Sequence, residues 1–312
     1  MIRTKLCEML GIDYPIFQGG MAWVATAELA VAVSEAGGLG IVGAGQAPAE
    51  VVRAEIHKVK AATLRPFGVN VMLRSPHART VMEVVASERV PVVTTGAGNP
   101  GVFMPMLKAS GTKVFPVLAS VALAKRLSRL GIDGIVAEGL ESGGHVGEIT
   151  TMALLPQIVD AVDLPVIAAG GIADGRGLAA ALALGAVGVQ IGTRFVCASE
   201  CTAHPAYKQA IIEARDRSTV VTGRPTGHPV RVIENHLARK FLKMEAEGAP
   251  ADEMEKLGVG KLRAAVVDGD VRDGSMMAGQ VAAMVKKVQP AREIIREIMS
   301  QADQTLERLR TL

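Results

Sequence analysis

The chain has 312 residues, enough for one α/β barrel with an insertion or for two average domains. Aromatic residues make up only 3% and apolar residues 49%, so the core must be built from Ala, Val, Ile, Leu and Met, a palette suited to buried parallel strands and closely docked helices. A net charge of +3 without any basic run interleaved with aromatics argues against a nucleic-acid binder, and the lack of a leader-like N-terminus or of roughly 18 consecutive apolar residues predicts no signal peptide, no membrane span and a cytoplasmic location.

Eight short apolar runs alternate with helical patterns in chain order. The runs cover residues 15–18, 39–42, 67–71, 91–94, 113–117, 133–137, 165–168 and 187–191. Their near-continuous hydrophobicity predicts strands buried on both faces. Between them, Thr26 precedes a helix reaching Glu35 with Gly37 beyond it, and Pro48 opens the next. Ser120 precedes 121–130, and Asp174 precedes an Ala/Leu-rich run that ends at Gly185. Regular βα alternation implies parallel strands with right-handed crossovers, and eight units favour a closed TIM (β/α)8 barrel over an open doubly wound sheet.

The pattern changes after Cys201. Residues 202–275 are richer in charge, with helical stretches expected at 230–247 and 252–262. We read them as a small helical cap over the barrel mouth, so that 1–201 and 276–312 form the barrel. Closing helices are expected at 275–287 and 290–312. Cys7, Cys197 and Cys201 follow no metal or disulfide spacing and read as free thiols. No histidine spacing suits catalytic zinc.

Active sites of such barrels gather where strands end. The two last strands end in Gly170-Gly171-Ile172-Ala173-Asp174-Gly175 and Gly192-Thr193, turns whose backbone amides suit a phosphate. The sixth ends at Glu138, followed by Glu141-Ser142-Gly143-Gly144-His145, a carboxylate and a histidine in a glycine-rich loop; histidine exchanges protons near neutral pH. Asn70 sets an amide at the end of the third. Gly96-Ala97-Gly98-Asn99-Pro100-Gly101 has the spacing of a dinucleotide fingerprint, but no acidic residue stands about 20 positions on, so a pocket rim is the better reading.

Five segments closely resemble the FMN-dependent enoyl-acyl-carrier-protein reductases of type II, within the nitronate monooxygenase-like (2-nitropropane dioxygenase) flavoproteins. They are Gln18-Gly19-Gly20-Met21-Ala22-Trp23, Val93-Thr94-Thr95-Gly96-Ala97-Gly98-Asn99-Pro100, Glu141-Ser142-Gly143-Gly144-His145, Ala168 through Gly175, and Gln190-Ile191-Gly192-Thr193-Arg194-Phe195. A sixth, Gly269-Asp270 with Gly274-Ser275-Met276-Met277-Ala278-Gly279-Gln280, extends the resemblance over nearly the whole chain. The resemblance implies that NADH or NADPH reduces FMN, and that reduced flavin then passes hydride to Cβ of a trans-2-enoyl thioester on acyl carrier protein. It implies His145 as the catalytic proton donor. Gly171, Gly192 and Thr193 would hold the phosphate. Met21, Asn70, Glu138 and Gln190 would contact ribityl or ring atoms, and Met276 and Gln280 would line the ring from the cap side. Gly20, Ala22, Ala169 and Gly170 complete the expected cofactor-binding set.

A monovalent cation site is also implied, at no identified residues. Arg74, Arg79 and Arg231 are candidates for steering the acidic carrier protein, and a homodimer is expected. Two alternatives stay open: a nitronate monooxygenase, in which the histidine acts as a base toward an alkyl nitronate with O2 as oxidant, and a non-catalytic flavin- or phosphate-binding module. An IMP dehydrogenase-type barrel needs a cysteine after the sixth strand, where this chain carries His145.

Overall fold

A computed structural model describes residues 2–312. Eight parallel strands form the barrel: β1 (Ile16–Gln18), β2 (Gly40–Gly43), β3 (Phe67–Met72), β4 (Val92–Gly96), β5 (Lys113–Leu118), β6 (Ile135–Glu138), β7 (Val166–Ala169) and β8 (Gly188–Ile191). Each overlaps its predicted run. Neighbours follow the order β1-β8-β7-β6-β5-β4-β3-β2, and β1 meets β2 through a parallel bridge between Phe17 and Leu39, which closes the ring. The architecture is therefore a TIM barrel.

The seam between β1 and β2 is short. Leu39 N donates to Ile16 O at 2.8 Å, and Gln18 N donates to Leu39 O at 3.0 Å. Beyond that the backbones diverge, and the buried Gln18 side chain takes over. Its Oε1 accepts from Ile41 N at 3.1 Å and its Nε2 donates to Ile41 O at 3.2 Å. One amide thus satisfies both polar groups of a strand residue that lacks a ladder partner on that side.

Alternation along each strand sorts two apolar layers. Phe17, Ile41, Val92, Phe115, Val136 and Ile167 point into the barrel, where Leu6, Cys7 and Leu10 of the helix Lys5–Leu10 close the floor. Phe17 and Phe115 meet edge to face with centroids 5.7 Å apart. Val42, Val69, Val93, Val114, Ile135, Val166 and Val189 face outward against the helices. Seven crossover helices follow the first seven strands: Ala27–Glu35, Ala49–Ala62, Ala78–Ser87, Met104–Ser110, Val121–Ser128, Thr151–Val159 and Gly175–Ala183. The helix after β8, Thr193–Val196, is a single turn. Its place in the outer ring is taken by Ala291–Arg310, which packs between Gly175–Ala183 and Ala27–Glu35. Gly175 makes that docking possible, because a Cβ there would lie 2.3 Å from Ile298 O and Ala302 N.

The segment 202–275 departs from the expected all-helical cap. Helices Pro205–Ile212, His236–Ala246, Ala251–Gly258 and Lys261–Val266 are present, but residues 219–233 form a hairpin of Thr219–Thr222 and Val230–Ile233. The helix expected from 230 starts only at His236, where Asn235 Oδ1 accepts from Ala238 N. Val-Arg-Val-Ile before it is β-branched at three of four positions and finds an antiparallel partner in Gly144–His145. The helix expected at 275–287 shrinks to the 3₁₀ turn Gln280–Met284, because 276–279 is drawn out along the hairpin: Met277 bridges Val232, and Ile233 N donates to Met276 O at 2.8 Å. Arg263 lies 5.8 Å over the Trp23 ring and ties this segment to the β1 exit. No helix among the described residues is long and apolar enough to cross a membrane.

Replacing Gln18 by Leu should strand the N–H and C=O of Ile41 in the interior, at a cost of about 1–3 kcal/mol per orphaned group. Urea denaturation should register a lower midpoint with an unchanged slope; a midpoint equal to that of the parent would show that the seam does not depend on this side chain.

Candidate active site at the strand exits

β7 and β8 are adjacent and parallel, with Ala169 opposite Gln190. The register sends Gly170-Gly171 and Gly192-Thr193 out of the barrel side by side. Gly170 and Gly171 have φ of 87° and 69°, a backbone that L side chains rarely adopt. Among the described residues no acceptor meets the amides of Gly171, Gly192 or Thr193. A cradle of unpaired N–H groups at two adjoining turns matches a phosphoryl group.

A clasp beneath the first turn fixes it. Glu141 accepts from Thr151 N at 2.9 Å and from Thr151 Oγ1 at 2.9 Å, and Thr151 Oγ1 also lies 3.0 Å from Gly170 O. The second turn is fastened from above: Thr193 Oγ1 accepts from Gly279 N at 2.9 Å, while Gln280 N donates to Glu141 O at 2.9 Å. The Thr193 hydroxyl keeps its own proton free for a ligand, since it is used here only as an acceptor.

Across the mouth, Met21 and Gly192 face each other: a Cβ on Gly192 would lie 3.5 Å from Met21 Sδ. Asn70 lies over Gly20, where a Cβ would lie 2.1 Å from Asn70 Cβ, and its Nδ2 donates to Thr94 Oγ1 at 2.9 Å. Ala22 packs against Gly45. Gln190 is buried with Oε1 unpaired, and so is Ser142 Oγ; buried orphans of this kind call for a partner from outside the chain. Ala169 is buried in the barrel lining. Glu138, opposite Ala169 at the end of β6, is pushed up to about 7 by burial, with no cation beside it to hold the charge. Met276 is buried and joins the core between barrel and hairpin, and Gln280 is solvent-exposed at the start of its turn.

His145 reaches the mouth by an unexpected route. It lies in a two-residue strand, Gly144–His145, paired with Val230 and Arg231 of the hairpin, and Val146 N donates to Pro229 O at 3.1 Å. His145 is exposed, yet desolvation by the surrounding chain, then His228 and Arg74, hold its pKa below the ordinary histidine value. Arg231, a candidate for steering a carrier protein, is instead buried at 5% exposure. Its guanidinium donates to Leu140 O at 3.3 Å and to Thr219 Oγ1 at 3.1 Å, so it fastens the hairpin to the β6 exit loop. Arg74 and Arg79 are exposed. Gly98 packs on Leu73, as a rim position would.

Ser142, Thr151 and the Glu141 clasp were not legible as functional groups from sequence. Ser142 lies inside the Glu-Ser-Gly-Gly-His run, which was the available signal; Thr151 carried none. An open surface hollow at the N-terminal ends of β3 and β4, lined by Leu10, Lys60, Thr63, Leu64 and Arg65, is remote from all these groups.

Residues 3–82 and 77–301 match the family model described as nitronate monooxygenase. FabK from Thermotoga maritima superposes with a TM-score of 0.97 at 50% identity, covering 100% of this chain and 99% of that one. A (3aS,4S,5R,7aS)-5-hydroxy-7a-methyl-1-oxo-octahydro-1H-indene-4-carboxyl-CoA dehydrogenase of Mycobacterium tuberculosis is 35% identical over 96% of each chain. A probable nitronate monooxygenase of Staphylococcus aureus is 32% identical over 98% of this chain and 99% of its own. With the family model and full-length relatives in agreement on one barrel, this chain belongs to the nitronate monooxygenase family of flavin-dependent oxidoreductases.

Proposed function

We propose that this chain reduces trans-2-enoyl thioesters on acyl carrier protein, with FMN held across the strand exits and NADH or NADPH as the reductant. The observation that carries the reading is the end-to-end match to FabK at 50% identity, well above the 32–35% of the nitronate monooxygenase and CoA-dehydrogenase relatives. The reductase motifs around Thr94 and Ser275 point the same way.

The residues fit FMN. The unpaired amides of Gly171, Gly192 and Thr193 would take its phosphate, where loops after the seventh and eighth strands of such barrels commonly bind one. Gln190 Oε1 and Ser142 Oγ, both buried and unpaired, would find partners on the ribityl chain or ring. Met21 would cover the ring from the β1 side and Asn70 would offer its amide carbonyl. When bound, FMN supplies the hydride chemistry. The chain supplies position, exclusion of water and a proton. His145, with its pKa held down, is the stronger acid once protonated, and it would deliver that proton to Cα of the developing enolate. Glu138, neutral over much of the range below pH 7, would add no negative charge beneath an electron-rich ring.

The nitronate monooxygenase reading draws on the family model and on the same lowered pKa, since a neutral imidazole is the form a base requires. Dinucleotide consumption with a crotonyl thioester, set against oxygen uptake with an alkyl nitronate, separates the two.

His145→Ala should purify yellow and lose about 10²–10⁴-fold in kcat for thioester reduction. A variant at full rate would remove His145 from the proton step.

Gly171→Val should lose flavin. It forces a left-handed backbone on a β-branched residue, costing roughly 1–2 kcal/mol, and drives a side chain toward Glu141 Cβ, 3.3 Å from the Cβ position. Visible absorbance per mole of protein after gel filtration measures it, and full flavin retention would displace the phosphate from this turn.

Glu138 gives a pH signature in the flavin-free protein. Its folded pKa of about 7 exceeds the ordinary 4.5, so the folded state holds the proton across that window while the unfolded state has lost it. Stability should therefore be full below about pH 4.5 and decline as pH rises toward 7, by at most about 1.4 kcal/mol per pH unit. Glu138→Gln should flatten that slope in urea melts taken across the window; an identical slope in the variant would assign the effect elsewhere.

A further inference from the structure

Three basic side chains from three separate segments, the proposed acid among them, come together at the mouth. Arg74 follows β3, His228 lies in the turn between the two hairpin strands, and His145 lies on the short strand that pairs with the second of them. Arg74 Nη1 is 3.0 Å from His228 Nδ1 and 3.1 Å from His228 Nε2. Near-equal distances to both ring nitrogens place the guanidinium over the face of the imidazole, not on one lone pair, so the contact is not a well-formed hydrogen bond. Pro229, next to His228, accepts from Val146 N at 3.1 Å and Val230 lies opposite His145 in the ladder, which brings His228, and Arg74 with it, close to His145; both groups lower the pKa of His145.

No carboxylate balances them. Among the described residues neither Arg74 nor His228 makes an ion pair with a carboxylate. Arg74 and His228 are both solvent-exposed, so they can stay hydrated and wait for a ligand. A guanidinium fork with an imidazole beside it is a donor set suited to phosphoryl oxygens.

We propose that Arg74 and His228 form an anion subsite for the diphosphate bridge of the reduced nicotinamide dinucleotide, set beside His145. The inference deepens the reading that NADH or NADPH reduces FMN here, and it rests on that part of it alone. The spacing favours this phosphate over the one on a pantetheine arm. In the dinucleotide a single ribose separates the nicotinamide from its first phosphate. In a pantetheine thioester a long flexible chain separates the reacting carbonyl from the phosphate, whereas the subsite lies within electrostatic range of the residue at the reacting atoms.

The test follows reduction of the enzyme-bound flavin under anaerobic conditions, by bleaching of its visible band, with NADH, NADPH and the phosphate-free N-benzyl-dihydronicotinamide. The preference for the dinucleotides over the phosphate-free donor should fall by about tenfold or more in Arg74→Ala, as loss of a charge-assisted contact implies. It should fall less in Arg74→Lys, and His228→Ala should follow Arg74→Ala. Titration of the oxidised holoprotein with NAD⁺, followed by perturbation of the flavin spectrum, should weaken in parallel. A preference held within twofold in Arg74→Ala overturns the subsite. So does a preference that stands while selectivity for crotonyl-coenzyme A over crotonyl-pantetheine falls, which would give the anion to the thioester arm. No thioester enters the first assay, so a protein that takes electrons from NAD(P)H with this Arg74 dependence but reduces no enoyl thioester would retain the subsite and lose the proposed substrate.

Discussion

The register that sets Ala169 against Gln190 determines where two turns leave the barrel, and most of the site is arranged around them. Parallel strands can place two glycine turns at one level only if neither strand slips, because a slip of one residue would turn Gln190 out of the barrel and aim a different amide at the mouth. The register is held by residues far from the mouth. Val166 and Val189 lock into the outer helices, Ile167 fills the interior, and Gly188 lets Leu6 and Pro15 come close beneath β8. The geometry of the proposed phosphate cradle is therefore set by barrel packing, and the two turns need only keep their amides free.

From those turns the order spreads into the segment above. Thr193 binds Gly279, Glu141 binds Gln280 and Thr151, Met276 and Met277 pair with the hairpin, and the hairpin pairs with Gly144–His145. A residue proposed to donate a proton is thus held by a strand whose partner comes from residues 230–231, while its own loop leaves β6. Burial of Arg231 against Leu140 adds a charged donor to a carbonyl at the root of the same loop. Charge-assisted bonds of this kind are the stronger ones, and losing one would loosen the histidine without touching it.

Strand positions were legible because runs buried on both faces leave little room for polar residues, and caps were legible where a side chain does local work. Ser120 Oγ accepts from Leu123 N, and Asp174 Oδ1 accepts from Arg176 N, as their positions suggested. The hairpin at 219–233 was not legible. Its partner strand is two residues long and some 85 positions away, and a two-residue strand has no periodicity to detect. The stretch 276–279 failed for the same reason: its backbone partners are Thr193, Val232 and Ile233, none of them local. Gln18 read as the start of a glycine-rich exit, and its role in the seam depends on barrel closure, a property of the ring and not of the segment. Arg231 read as a surface cation because nothing in its neighbours showed that both hairpin strands and Leu140 would enclose it.

The same barrel floor serves relatives named for nitronate oxidation and for dehydrogenation of a coenzyme A thioester, so the direction of chemistry must be set above the floor. In the free protein desolvation and two nearby basic groups lower the pKa of His145, which favours the neutral imidazole that can accept a proton. An enoyl reductase needs the opposite form. A diphosphate seated on Arg74 and His228 would weaken their field and favour the protonated imidazole while the reductant is bound. Acid or base character at His145 would then follow from whether an anion sits on the neighbouring cations when the proton moves. On that view a relative could keep every glycine of the floor, keep the histidine, and change its reaction by changing the residues at positions 74 and 228.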